Sequence, residues 1–235
     1  MTLIERLASV PGEAALVLDF DGVLAPIVPV PDDAYPPPET RHELERLAER
    51  YALVAVVSGR DGDDVRRRVG VDGVVCVGSH GLELDPGAEL WRRPIRDFVE
   101  RVDWRDTELK AVSVSFHFRN ATDDRAARAE LESVAADAER AGLRARFGRK
   151  VLEVLPPLDA NKGTAVRRLL TERGLRHALV AGDDTTDLDA FRALDGIALA
   201  VRVAVASDES PPALQATADI VVRDTIELLD LLRRL

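Results

Sequence analysis

Short apolar segments alternate with amphipathic ones along the first eighty residues. The apolar runs Ala15 to Asp19, Leu53 to Val57 and Gly73 to Val77 have the length and the bounding residues of buried strands. Between them, residues 38–51 and 62–69 carry apolar positions at helical spacing. Strands and helices in regular alternation predict parallel βα units.

The pattern changes after about residue 81. Residues 82–95 predict a hairpin that turns at Asp85-Pro86-Gly87, and residues 95–106 predict a helix. The remaining elements predicted here are an alternating strand at 111–119, a long helix at 122–141, and short strands at 143–147 and 151–155. Strands and helices in this order are typical of an α+β insert with an antiparallel sheet.

The βα pattern returns from residue 161 to the end of the chain. We therefore predict an α/β protein with a parallel core made of residues 1–81 and 156–235, interrupted by a small cap of residues 82–155. Open α/β sheets bind ligands at the carboxyl ends of their strands. The functional site is expected at that edge of the core, beneath the cap.

Composition and charge narrow the classes of function. Hydrophobic residues make up 46% of the chain, and no apolar run approaches the roughly 20 residues that a bilayer requires. The segment MTLIERLASV predicts a short amphipathic helix and not a signal peptide, so we expect a cytoplasmic protein. A net charge of -10 argues against a nucleic-acid partner. The single cysteine, Cys76, is predicted to pack in the core.

Polar residues stand at four predicted strand or helix ends of the core. Each cluster alone has a simple structural explanation, since Asp-Gly and Ser-Gly commonly form turns. An apolar strand that ends in several carboxylates has no packing reason to exist, however. The clusters are Asp19 with Asp21, Ser58-Gly59-Arg60, Lys162-Gly163, and Gly182-Asp183-Asp184 with Asp187.

The four clusters together predict phosphoryl-transfer chemistry. Carboxylates at two strand ends supply the hard oxygen ligands that Mg²⁺ prefers, and the ion offsets their mutual repulsion. Asp19 can then attack phosphorus, while Asp21, two residues on, serves as general acid and base. Ser58, the backbone N–H of Gly59 and Lys162 form a donor set for the phosphoryl oxygens.

The ordered motifs DFDGVL, VVSGR, NKG and GDDTTD resemble those of the haloacid dehalogenase superfamily. Three further segments, VGSHGLEL, VSFHFR and KVLEVLPPLDANKGTAV, make nearly the whole chain similar to the trehalose-6-phosphate phosphatase family. The resemblance implies a Rossmann-like core with a parallel sheet and an inserted α+β cap of the C2 type. It also implies a phosphatase that acts through an aspartyl-phosphate intermediate.

The resemblance assigns roles to individual residues. Asp19 would be the nucleophile and Asp21 the acid/base, and the Mg²⁺ ligands would be Asp19, Asp183 and the backbone carbonyl of Asp21. Asp184 and Asp187 would support the site, and Ser58, Gly59 and Lys162 would hold the phosphate. The substrate contacts implied are Arg60, Gly78, His80, Gly81, His117, Arg119, Lys150 and Glu153.

Two positions depart from the family pattern. Leu188 stands where the last motif usually has glutamate, and Val23 replaces a common threonine. Because of Leu188, one alternative function is a phosphatase for another sugar phosphate or a pseudo-disaccharide phosphate. A catalytically silent sugar-phosphate sensor and a phosphomutase are further alternatives. For the cap residues, a polar sheet face or surface ion pairs are the simple alternative. A small-molecule sugar phosphate is the expected partner, and the oligomeric state stays open, with a monomer as one option.

Overall fold

The chain forms two compact units. The computed structural model describes residues 1–148, 150–207 and 210–235. The first unit comprises Met1–Gly81 and Ala160–Leu235, and the second comprises Leu82–Asp159. The second unit is thus inserted into the first along the sequence.

The first unit is built on a six-stranded parallel sheet with strand order β10-β9-β8-β1-β2-β3. All residues of β1 and β2 are buried, which explains their unbroken apolar runs, because such a sheet is covered on both faces. Numbered along the whole chain, its strands are β1 (Ala14–Leu18), β2 (Leu53–Val57), β3 (Val74–Val77), β8 (His177–Gly182), β9 (Leu199–Val205) and β10 (Ile220–Val222).

Helices and short 3-10 turns connect these strands. The segment between β1 and the next helix includes a 3-10 turn at Pro31–Asp33, within the proline-rich stretch. The helices of the first unit are α1 (Leu3–Ala8), α2 (Pro38–Arg50), α3 (Gly62–Val69), α6 (Lys162–Glu172), α7 (Asp187–Arg192), α8 (Pro212–Thr217) and α9 (Thr225–Leu232).

The order of the strands reverses at β1. Its neighbour on one side, β2, follows it in the chain, whereas its neighbour on the other side, β8, belongs to the second half. Such a reversal opens a crevice at the carboxyl ends of the two strands, the usual ligand site of doubly wound sheets. The tips of β1 and β8 are therefore where chemistry is expected.

The second unit is an antiparallel sheet of order β4-β5-β7-β6 with two helices. It has its own apolar core, in which Ile95 and Phe98 of one helix and Leu131 of the other cluster with Phe116 and Leu152 of the sheet. Its elements are α4 (Arg92–Val99), β4 (Thr107–Leu109), β5 (Val114–His117), α5 (Asp124–Arg140), β6 (Arg144–Gly148) and β7 (Val151–Leu155).

The predicted fold class is confirmed, but the hairpin predicted at 82–95 is wrong. A kinked turn segment at Ser79–Leu84, with non-helical backbone at His80 and Gly81, and a short 3-10 helix at Ala88–Trp91 occupy that stretch. The turn residues are used locally: the Asp85 side chain accepts from the Gly87 N–H at 2.8 Å, so the flanking residues bond to near neighbours and not across a ladder.

Two further boundaries differ from the sequence prediction. The helix predicted at 95–106 is observed at Arg92–Val99, and strand β4 was not predicted. That strand has only three residues, with the pattern Thr-Glu-Leu, so neither length nor apolar alternation marks it. Across the described ranges, no helix has the length and apolar character needed to cross a membrane.

Candidate active site

Two predicted carboxylates lie on adjacent strand tips at the reversal point of the sheet. Asp19 directly follows β1, and its N–H donates to the carbonyl of Ala181 in β8 at 3.0 Å. Asp183 directly follows β8. The β-sheet ladder therefore continues to the nucleophile candidate and fixes its backbone beside the second acidic loop.

Lys162 joins these strand tips to the helix that follows the inserted unit. It is the first residue of α6, whose start is fixed by a capping box between Asn161 and Thr164, with both bonds at 2.9 Å. Its ammonium lies 2.7 Å from Asp19 Oδ2 and 2.8 Å from Asp187 Oδ1. All three side chains are buried, so this cluster exchanges little with water.

Asp187 organises the second acidic loop. One of its oxygens binds Lys162, and the other accepts from the backbone N–H groups of Asp183 and Asp184, each at 3.1 Å. The Asp184 carboxylate itself is exposed and accepts from the Thr185 N–H. Asp187 can therefore support the site in the way predicted, because its side chain binds both the ammonium of Lys162 and the backbone of Asp183.

A glycine permits the close approach of the two strand tips. Gly22 has φ +74°, and a Cβ there would lie 2.1 Å from Asp183 Oδ2. Any other residue at this position would both strain the backbone and displace the carboxylate. The Asp-Gly pair that suggests an ordinary turn is therefore also a packing requirement of the site.

Burial and charge shift the titration of this cluster. Burial raises the pKa of Asp19 to about 7, although Lys162 opposes the shift. Burial, reinforced by the charges of Asp19 and Asp187, raises the pKa of Asp183 to about 8. For Lys162, burial acts to lower the pKa, but the two carboxylates that it contacts raise it above its ordinary value. The lysine is charged, and the raised pKa values of Asp19 and Asp183 reflect the cost of holding further negative charge in this buried cluster.

The same cluster is suited to a divalent cation. Asp19, Asp183 and Asp187 each offer an oxygen, and these atoms lie within 4.8 Å of one another. Within the described part of the chain, no hydrogen bond or ion pair reaches the Asp183 carboxylate, which leaves its oxygens available. Hard oxygen donors of this kind favour Mg²⁺ or a similar ion.

Asp21 points its carboxylate to an arginine and not to the other acids. Arg60 Nε lies 2.7 Å from Asp21 Oδ2, and a terminal nitrogen of Arg60 lies 2.7 Å from Asp21 Oδ1. The Asp21 side chain is 36% exposed, far more than that of Asp19 at 9%. The two aspartates of the first motif therefore have separate environments, as different roles require.

The predicted phosphate donors follow β2, the strand next to β1. Ser58 is buried, and its hydroxyl accepts from the Arg60 N–H at 3.2 Å. Gly59 lies against the imidazole of His80: a Cβ at this position would be 2.6 Å from two ring atoms. Only glycine fits between the backbone and that ring.

The segment after β3 has an unusual backbone. Ser79, His80 and Gly81 all have positive φ, of 50°, 55° and 99°. Two such non-glycine residues cost of the order of 1–2 kcal/mol each, a strain that tends to mark functional segments. A Cβ at Gly81 would lie 2.9 Å from the Asn161 carbonyl, so this segment packs against the start of α6.

The predicted cap residues form short-range pairs within the second unit. His117 Nε2 lies 2.9 Å from Glu108 Oε2, and Glu153 accepts from Arg146 Nε at 3.0 Å. Lys150 lies outside the strands and binds Asp124 at 2.8 Å. Arg119 is exposed and lies beyond the end of β5. Strands β5 and β7 pair with His117 opposite Val151 and Ser115 opposite Glu153, so His117 and Glu153 lie on the same face of the sheet. The Lys150 carbonyl accepts from the Phe118 N–H at 2.9 Å, which places Lys150 beside the end of β5.

Some residues near the site were missed in the sequence. The hydroxyl of Ser79 is buried and has no hydrogen-bond partner among the described residues. Asp64 and Arg68 extend the interactions of Arg60 along α3. Asp64 accepts from Arg60 at 3.4 Å and from Arg68 at 2.6 Å. The spacing of Arg60, Asp64 and Arg68, four residues apart, was the available signal.

The chain is similar to trehalose phosphatases over most of its length. The model of the trehalose-phosphatase family matches residues 17–220. A trehalose-phosphate phosphatase of Mycobacterium marinum is 35% identical over 226 residues, which cover 86% of this chain and 57% of that protein. The chain thus spans little more than half the length of this relative.

Solved structures share the fold. A trehalose-6-phosphate phosphatase related protein superimposes with a TM-score of 0.69 at 26% identity, covering 93% of this chain and 95% of the other. The C-terminal domain of the Candida albicans trehalose-6-phosphate phosphatase has the same TM-score at 22% identity, covering 98% and 93%. The latter likeness supports the fold alone.

Proposed function

The chain belongs to the trehalose-phosphatase family, and from this premise we propose that it hydrolyses trehalose 6-phosphate to trehalose and phosphate with the help of Mg²⁺. One observation carries the proposal: Asp19, at the reversal point of the sheet, is held by the buried ammonium of Lys162 beside Asp183. A buried cluster of this kind is costly to maintain for packing alone. Its position matches the site expected for a phosphoryl substrate.

The proposed reaction has two displacements. Asp19 attacks phosphorus, so an Asp19–phosphorus bond forms while the bond to the sugar oxygen breaks. Asp21 enters this step as the protonated acid and gives its proton to that oxygen. In the second step Asp21 takes a proton from a water molecule, which attacks the aspartyl-phosphate. Phosphate leaves, and the Asp19 carboxylate is restored.

The surrounding residues bind and orient the phosphoryl group. Lys162 offers a fixed positive charge beside Asp19, and Ser58 and the Gly59 N–H are the proposed donors to the equatorial oxygens. Because Lys162 is held from both sides by carboxylates, its ammonium needs little rearrangement when the substrate enters.

Mg²⁺ is the proposed cofactor. Asp19, Asp183 and the backbone carbonyl of Asp21 would hold it, with Asp184 and Asp187 in support. When bound, the ion supplies positive charge that offsets the repulsion between the acidic cluster and the phosphate dianion.

Specificity for the sugar is proposed to come from the inserted unit. We assign residues 82–155 as the cap and residues 1–81 with 156–235 as the core. Of the substrate contacts named from the sequence besides Arg60, the candidate sugar contacts are Gly78, His80 and Gly81 at the end of the first segment of the core, and His117, Arg119, Lys150 and Glu153 in the inserted unit. Binding energy from the sugar would then favour exclusion of water before the chemical step.

Another sugar phosphate is the second candidate substrate. Leu188, where the family usually has glutamate, is half-buried and offers no hydrogen-bonding side chain. A polar contact made at this position elsewhere in the family would be lost here, and discrimination between sugars depends on such contacts. A cytoplasmic location and the lack of a nucleic-acid partner stay predictions.

The test is phosphate release from a substrate panel, with Mg²⁺ and again after chelation. The panel contains trehalose 6-phosphate, sucrose 6-phosphate, glucose 6-phosphate, glucosyl-3-phosphoglycerate and p-nitrophenyl phosphate, compared by kcat/KM. We expect a preference for trehalose 6-phosphate of about a hundredfold, roughly 2.7 kcal/mol of differential transition-state binding, and loss of activity on chelation. Turnover of p-nitrophenyl phosphate without preference for any sugar phosphate would reject the disaccharide substrate, and no turnover at all would reject the phosphatase.

A further inference from the structure

Arg60 is bound on several sides in the structure. Its guanidinium donates to both oxygens of Asp21 at 2.7 Å, to the Pro31 carbonyl at 2.9 Å and to Asp64 at 3.4 Å. It also lies over the ring of Phe20, 5.3 Å from the centroid. The Arg60 side chain is only 14% exposed. A guanidinium has five N–H groups, so these four bonds leave little donor capacity for a substrate phosphate.

The partners of Arg60 are themselves held in place. Asp64 also binds Arg68 at 2.6 Å, and Arg68 is buried. Arg68 in turn donates to the carbonyls of Asp32 and Ala34, at 2.8 Å and 3.0 Å. Two arginines of the α3 region therefore bind the backbone of the loop that follows β1.

We infer that Arg60 is a positioning residue for the acid/base Asp21, which it holds in a fixed orientation through a bidentate contact braced by the loop after β1 and by α3. This role rests on the proposed function and refines it. The sequence had suggested a substrate contact for Arg60 instead.

The bidentate contact leaves Asp21 able to exchange a proton. A carboxylate has about four lone-pair sites, and two parallel bonds from an arginine occupy two of them. The remaining sites can face the leaving oxygen and, later, the attacking water. Without Arg60, the 36% exposed Asp21 side chain would sample other rotamers, and the geometry of proton transfer would be lost for much of the time.

Substrates with different leaving groups separate this role from a structural one. A sugar alkoxide needs a proton to leave, whereas p-nitrophenolate leaves without one. In Arg60→Gln we expect the first-turnover rate with trehalose 6-phosphate to fall by roughly a hundredfold or more, within the usual contribution of a general acid. The rate of the first turnover of p-nitrophenyl phosphate should be unchanged. Later turnovers should be slow, because Asp21 is also the base of the second step. The time course should therefore show a burst of p-nitrophenolate equal to the enzyme concentration.

A double-mutant cycle tests the dependence on Asp21. If Arg60 acts through that carboxylate, Arg60→Gln should cost nothing further in an Asp21→Asn background. Arg67→Gln is the matched control: Arg67 binds the same Asp64 at 2.7 Å but is 74% exposed and does not contact Asp21. Arg68→Gln removes part of the bracing of Arg60 and leaves its contact with Asp21 in place, so it should lower stability and give a smaller loss with the same leaving-group dependence than Arg60→Gln.

Several outcomes would overturn the inference. Equal losses on both substrates, or additive losses in the Asp21→Asn background, would make Arg60 a structural or substrate-binding residue. If wild type turns over glucose 6-phosphate and not trehalose 6-phosphate, the same comparison is made with glucose 6-phosphate, because its leaving group is also an alkoxide. A wild type that hydrolyses no phosphate monoester would instead reject the proposed function and this role together.

Discussion

The candidate residues of the two units differ in burial and in how far along the chain their partners lie. In the first unit, Lys162 bonds to Asp187, 25 residues away, and Arg60 to Asp21, 39 residues away. In the second, the contacts of His117 and Glu153 span nine and seven residues, between neighbouring strands.

This difference has an energetic meaning. Lys162 is 3% exposed and must keep its partners, since removing one partner of a buried charge pair costs about 3–5 kcal/mol. His117 is 31% exposed, and pairs of that kind contribute only about 0–1 kcal/mol. The core cluster is therefore preorganised, whereas the His117–Glu108 pair can exchange partners for a ligand at little cost. Glu153 is more enclosed, at 14% exposed, and takes its partner from the neighbouring strand.

The largest effect is expected at the nucleophile. Asp19→Asn should lower phosphate release by roughly 10⁴-fold or more, because the amide cannot attack phosphorus. Asp33→Asn, an exposed position, is the control for the same chemical change. Circular dichroism and thermal unfolding would check that the variant is folded. Activity retained by folded Asp19→Asn would contradict the nucleophile assignment and remove the reason for the buried cluster.

A pair of glycines offers the next comparison. Gly22 and Gly142 have similar positive φ, +74° and +79°, so alanine strains both backbones by about 1–2 kcal/mol. A Cβ at Gly142 meets nothing within 4 Å, whereas one at Gly22 would displace Asp183. Gly22→Ala should therefore lower kcat by roughly a hundredfold, as expected for a misplacement of about 1 Å. Gly142→Ala should lower stability and leave kcat unchanged.

The two glycine variants are compared at equal fraction folded. Similar kcat values for both would mean that backbone strain, and not the position of Asp183, limits the reaction. That result would weaken the contrast between a rigid core site and an adaptable second unit.

The smallest effect is expected in the second unit. His117→Ala and Glu153→Gln should each lower kcat/KM for trehalose 6-phosphate by roughly tenfold, because a lost sugar contact weakens transition-state binding. Hydrolysis of p-nitrophenyl phosphate should not change. Glu132→Gln, in an exposed pair on α5, is the control. Parallel losses on both substrates, or no loss, would leave these residues as ordinary surface pairs of the sheet.

The core was more predictable than the insert for a physical reason. Strands β1, β2 and β8 are buried along almost their whole length, so their apolar runs are long and bounded by polar residues. In the insert, β4 is short and polar, and Asp85 satisfies backbone groups that a hairpin would have paired. In the insert, local hydrogen bonds and the burial of apolar side chains favour different secondary structures by similar free energies. The hydrophobic pattern of the sequence alone does not show which one forms.

The sequence by itself determined the parallel core, the inserted unit, the acidic groups Asp19 and Asp183 at two strand ends, and the basic group Lys162 at a helix start. Only the tertiary structure decided their partners: that Asp187 holds Lys162, and that Arg60 holds Asp21. Apolar periodicity specifies elements because burial acts residue by residue along the chain. The choice of partner for a charged side chain depends instead on which distant segments meet at the same edge of the sheet. The local sequence pattern does not show which segments these are.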